Sequence, residues 1–204
     1  AMSTNTTGSN NVAMGQEALN VNTTASDNTA VGRSALTANT TGAYNTALGK
    51  SALAANTTAA ANTAVGRFAL TTNTTGHSNT AVGYNSLRYN QNAVSNTALG
   101  HSALQANTTS SFNTAVGFEA LSVNTTGGGY NVAIGRQALK ANTTGEVGTA
   151  VGVNALTANT TGTQNVALGG NSMYGNTTGS NNVAVGHNAL DANTTASNNT
   201  AVGK

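Results

Sequence analysis

Residues 39–55 read NTTGAYNTALGKSALAA, and residues 56–72 read NTTAAANTAVGRFALTT. The second stretch is the first written again with small changes. Aligned on the Asn of NTT, copies start at Asn5, Asn22, Asn39, Asn56, Asn73, Asn90, Asn107, Asn124, Asn142, Asn159, Asn176 and Asn193. Every spacing is 17 residues except one of 18, between Asn124 and Asn142. A fixed period of this size marks a repeat architecture, in which each copy is one unit stacked on the next. The consensus is N-T-T-G-x-x-N-T-A-V-G-x-x-A-L-x-A. The ninth position is always Ala, the eleventh always Gly, and the tenth always Val, Leu, Ile or Met.

Seventeen residues are too few for two helices and a turn, and Gly, Thr and Val interrupt any helical period. The segment N-T-A-V-G reads as a short strand, with Thr and Val on one face and Ala and Gly on the other. NTTG and the variable pair after it read as a turn, since Asn and Gly tolerate positive φ. The A-L segment reads as a second short strand or an extended corner. The expected fold is therefore all-β: a parallel β-solenoid or β-roll with one coil per repeat. Coils stack at about 4.8 Å, giving a rod of roughly 55–60 Å. Residues 5–204 form one array of about twelve coils, with the 18-residue copy at 124–141. Residues 1–4 read as a cloning remnant or leader, and the uncapped ends suggest a segment of a longer array.

Stacking gives the columns their chemistry. Asn in register can bond up and down the stack as a ladder. The first position supplies Asn22, Asn39, Asn56, Asn73 and Asn107, and the seventh supplies Asn28, Asn45, Asn62 and Asn79. Gly148 is the one break in the seventh column. Within the opening copy, Leu48 and Leu53 are the expected main burial, and Ala47 and Gly49 the close-packing face. A strand with no charge on either face reads as buried on both. One thin roll covers only one face, so the other is expected to be covered by copies of the chain, with a homotrimer the natural slender fibre.

Composition excludes several roles. Charged residues are 6 % of the 204, against about 25 % in ordinary domains. The net charge of +2 predicts no nucleic-acid binding. There is no Cys, hence no disulfide framework or thiolate metal site. No apolar run approaches the ~20 residues of a membrane span, so this segment is not expected to insert in a membrane.

The segments NNVAMG, NTAVG, NVAIG and NVALG, each followed by AL, resemble the repeats of trimeric autotransporter adhesin heads. The whole pattern is also similar to repeat regions of phage tail-fibre-like proteins. The resemblance spans nearly the whole chain. It implies a trimeric, left-handed parallel β-roll on a cell or virion surface, outside the cell. The period of 17 is longer than adhesin heads generally use, and neck, stalk, anchor and chaperone are absent from the sequence.

No catalytic constellation, cofactor site or metal site follows from the columns. His101 and His187 share the twelfth position five coils apart, or ~24 Å, too far to share a metal with bonds of about 2 Å. Glu17 and Glu119 share the thirteenth position six coils apart, so no carboxylate pair forms. Gly49-Lys50-Ser51 mimics the end of a phosphate loop, but Tyr44 stands where that loop needs Gly. The N-x-T pattern of NTT matches a glycan acceptor, yet stacked Asn leave little room for sugar. The twelfth column is the one candidate ligand stripe. Arg33, Lys50, Arg67, Tyr84, His101, Phe118 and Arg136 line up there, fit for a cell-surface glycan, another host-surface ligand or an extended polyanion. The expected function is a non-catalytic structural fibre segment with a possible glycan-binding surface. The alternative is a monomeric ice-binding solenoid using Thr ranks on a flat face.

Overall fold

The computed structural model describes residues 1–204. It is a parallel β-solenoid without helix. Twelve three-residue strands run from β1 (Val12–Met14) to β12 (Thr200–Val202) in one sheet, in sequence order. Eleven parallel pairings join them, so each full turn of the chain adds one strand. Register is column on column: Thr46 pairs Thr63, Ala47 pairs Ala64, and Leu48 pairs Val65. Residues 2–4 already follow the coil. Met2 N–H donates to Ala18 O at 2.9 Å, as Leu19 N–H does to Ala35 O at 3.0 Å.

The interior is narrow and half polar. Its apolar part is the ninth-position Ala, the fourteenth-position Ala or Ser and the fifteenth-position Leu, from Leu19 to Met173. The tenth position, expected to share the core, points outward. Leu53 is 0 % exposed, whereas Leu48 is 37 % exposed. The inner face is the Ala-Gly face, because two Asn per coil also point inward and leave room for a single Leu. Close approach makes Gly obligatory at the eleventh position. At Gly49, φ is +135°, and a Cβ would stand 2.6 Å from the carbonyl oxygen of Gly66.

The A-L segment, expected to be a second short strand or an extended corner, is a run of tight turns. Ser51 and Leu53 both sit in left-handed backbone, at φ 56° and 50°. Their N–H groups point along the stack in opposite directions: Ser51 donates back to Arg33 O, and Leu53 forward to Ala69 O. The left-handed residue of the NTTG turn is the sixth position, Tyr44 at φ 60°, rather than its Asn or Gly. Non-Gly residues resist this conformation. Here it is held by bonds to the neighbouring coils.

Two carboxamide ladders converge on one carbonyl. In the first column, Asn39 Nδ2 donates to Asn22 Oδ1 at 3.1 Å and to its own coil's Gly42 O at 2.9 Å. In the seventh column, Asn28 Nδ2 reaches forward to the same Gly42 O at 2.9 Å, and Asn28 Oδ1 accepts the Asn45 N–H at 2.9 Å. The first ladder is continuous from Asn5 to Asn193. The second bonds mainly side chain to backbone; its forward reach is lost at Asn113 and at Gly148. There Gly148 N–H still donates to Asn131 Oδ1 at 2.8 Å, but nothing reaches forward.

Two stability changes are expected. Gly148→Asn restores a donor for Gly162 O and an acceptor for Asn165 N–H. Each such bond contributes about 1 kcal/mol, so the variant should gain about 1–3 kcal/mol in a denaturant melt. An unchanged or lowered midpoint contradicts the ladder geometry. Gly49→Ala should lose about 2–4 kcal/mol through overpacking and its positive φ, read as a lowered melting temperature.

Candidate functional site

The twelfth-position side chains stand outward along one line, as stacking requires. Arg33, Lys50, Arg67, Tyr84, His101, Phe118 and Arg136 are all exposed. The seven are not equivalent. The side chains of Arg33 and Lys50 make no hydrogen bond, ion pair or cation–π contact. Arg136 Nη1 donates to Gln137 Oε1 at 3.2 Å. The middle of the line condenses into a stack. Ring centroids lie 5.1 Å apart for Tyr84–His101 and 5.2 Å for His101–Phe118.

Three residues outside the stripe join this cluster. Phe68, one position further along its coil, lies 6.4 Å from Tyr84. The Arg67 guanidinium sits 4.5 Å from the Phe68 ring centre and 5.7 Å from that of Tyr84. Arg88 lies 4.9 Å from Phe68 and 5.1 Å from Tyr89. Arg88-Tyr89 replaces the small residues that end most other copies, which was the available signal. The column reading missed it because it compared positions within a rank and not across ranks.

The rings turn their faces to one another and to guanidinium groups. Those faces carry the negative part of the quadrupole and are the surface on which a sugar or cation would stack. What remains outward is ring edge and guanidinium, both electropositive. The cluster therefore suits anions better than a neutral sugar. Its geometry also ties neighbouring coils in register, as stacked side chains do.

The acidic side chains stay scattered, and no three His, Asp or Glu side chains come close enough to hold a metal ion. The one ion pair joins Lys140 Nζ to Glu119 Oε2 at 2.7 Å, and Gln137 Nε2 donates to the same oxygen at 2.9 Å. The Lys140 and then the Gln137 hydrogen bonds hold the Glu119 carboxyl below its usual range. The Asn ranks named from the sequence lie inside the coil, where their polar atoms bond to protein. Asn22, Asn39, Asn56, Asn73, Asn107, Asn28, Asn45, Asn62 and Asn79 are all fully buried.

The 18-residue copy forms a separate feature. Its extra residue opens a cleft of about 220 Å³ beside Gly127, Gly129 and Glu146. Phe112 and Tyr130 stack over it at 5.0 Å with only 9° between planes. Asn113 loses the forward carbonyl here and donates to Ser111 O at 3.3 Å instead.

Because its folded-state pKa is depressed, Glu119 contributes stability above its ordinary titration range, lost as pH falls through the lowered value. Lys140→Ala should move the Glu119 carboxyl midpoint back up, measured by side-chain carboxyl NMR. An unmoved midpoint would rule out Lys140 as the main cause.

No protein-family model, no curated protein and no solved structure matches this chain.

Proposed function

We propose that the chain is a non-catalytic fibre segment, a rigid spacer in a surface adhesin or phage-type tail fibre, assembled as a homotrimer. The observation that carries this reading is the outward tenth-position rank. Leu48, Leu99, Ile134 and Leu168 are each more than a third exposed, with Val or Met in the intervening coils. With the Thr and Val of the eighth position they form an uncharged strip along the whole sheet. Monomeric soluble proteins seldom leave a continuous apolar strip of that extent open. Copies related by an axis along the rod can cover it, each presenting the same strip.

Length and stiffness support the spacer role. Each coil contacts only its neighbours, and both carboxamide ladders run along the axis, so bending the rod strains every rung. The setting outside the cell rests on the resemblance of the repeats to adhesin heads and tail-fibre repeats. Contact with a host-surface glycan is the binding role that setting suggests.

One observation favours the ice-binding reading. Third-position Thr residues such as Thr41, Thr58 and Thr75 are exposed with unbonded hydroxyls. The second-position Thr does not add to that rank. Thr40 and Thr143 hydroxyls donate instead to the Thr57 and Thr160 carbonyls, at 3.1 and 3.0 Å. This rank is interrupted by Asn92, and the eighth-position Thr rank by Val12, Val132, Val166 and Val183, a poor match for a two-dimensional lattice.

Light scattering should give three times the 20.0 kDa of one chain. Leu99→Lys should shift the mass toward monomer, because it sets an unpaired charge in the covered strip. A stable monomer at micromolar concentration overturns the trimer. Thermal hysteresis measured on the same sample should be absent, and a clear hysteresis gap would favour the alternative.

A further inference from the structure

The larger of the molecule's two clefts, about 500 Å³, lies outside the twelfth-position stripe. It runs along the outward turns of the last coils and is lined by Asn154, Asn171, Asn188, Tyr174, Asp191 and Ala192. Three Asn occupy the thirteenth position in successive coils here, whereas elsewhere only Asn85 does, alone. Their left-handed backbone, at φ 58°, 54° and 60°, explains why Asn is accepted. It does not explain a cleft in front of them.

The three carboxamides form a short outer ladder. Asn154 Nδ2 donates to Asn171 Oδ1 at 3.1 Å, and Asn171 Nδ2 to Asn188 Oδ1 at 3.2 Å. That leaves unused capacity at the cleft. Each amide has donor capacity beyond its single bond, and Asn188 donates none. Tyr174 is 48 % exposed, and neither its hydroxyl nor the Asp191 carboxylate has an intramolecular partner. Gly170 stands at the twelfth position beside them, with the His187 ring lying over it.

The donor set decides the ligand class. The lining carries one carboxylate and no cation, which disfavours an anion. Amide groups pair with neighbouring hydroxyls, donating through nitrogen and accepting through oxygen. A carboxylate accepts further hydroxyl donors. Unlike the rings of Tyr84, His101 and Phe118, the Tyr174 ring is not stacked on another ring, so it can lie against the apolar face of a pyranose. The amides recur once per coil, so successive sugar units along the axis would meet equivalent groups. We propose that this cleft binds a neutral oligosaccharide laid along the rod. The inference rests on the fibre reading only for its biological setting and moves glycan contact from the twelfth-position stripe to a different side-chain set.

The test is an NMR titration of the assembled protein, watching the side-chain amides of Asn154, Asn171 and Asn188. The probes are cellotetraose, maltotetraose and mannotetraose at millimolar concentration, with tetragalacturonate as the charged comparison. At least one neutral probe should shift the three amides saturably while the sheet amides stay fixed. Tyr174→Ala and Asn171→Ser should each weaken that binding about tenfold, whereas Tyr84→Ala should leave it unchanged. The proposal is overturned if no neutral probe shifts these amides or tetragalacturonate binds more tightly. It is equally overturned if Tyr174→Ala, with its sheet amides intact, binds as the parent does. Light scattering on the same sample separates the two readings. A trimer that binds no sugar removes the cleft alone, and a monomer that binds removes the trimeric fibre alone.

Discussion

One buried carbonyl per coil, at the fourth position, fixes the rest of the structure. Gly42 O accepts from Asn39 of its own coil and from Asn28 of the coil before. A carbonyl buried without partners costs about 1–3 kcal/mol, so the first-column carboxamide serves it in every coil and the seventh-column one in most; Gly162 O, facing Gly148, keeps only Asn159. This explains the unvarying Asn of the first column and the near-unvarying Asn of the seventh. It also explains why the fourth position is Gly, Ala or Ser throughout. A larger side chain there would displace the amides that its own carbonyl needs.

The same constraint sets the composition of the core. With two Asn inside each coil, the interior admits one Leu and two small residues and no more. Hydrophobic burial per coil is therefore modest, and much of the cohesion is directional. Directional bonds favour a single register, which a loosely packed apolar interior would not enforce. The low charge of the chain follows in part, since most side chains either line this interior or stack on their own copies.

Much of this was legible from the period. The one-coil repeat, the two Asn ranks and the close-packed Ala-Gly face follow from columns that never or seldom vary. The direction of the tenth-position residue did not. A strand such as Thr46–Leu48 has no charged face, so its pattern cannot say which side is inside; that depends on the Asn filling the interior. The left-handed Leu53 was equally hidden, because Leu gives no local sign of positive φ and is held there by the bond its N–H donates to the next coil. The cluster of Phe68, Tyr84, Arg88 and Tyr89 was missed for a related reason. It joins different columns of different copies, and a period defines only what lies above what.

The extra residue at Gly127–Gly129 has a consequence for how the chain assembles. Coils this alike fit one another nearly as well after a slip of one whole repeat as in the correct alignment, so a folding chain has little to tell it where along the rod it stands. Ladder bonds span 17 residues along the array but 18 across this copy. A slipped chain would set the bulge of one coil against a regular turn of another and leave the Phe112–Tyr130 pair unmatched. The irregular copy is the array's indexing notch, the one change of period against which a series of near-identical coils can be counted.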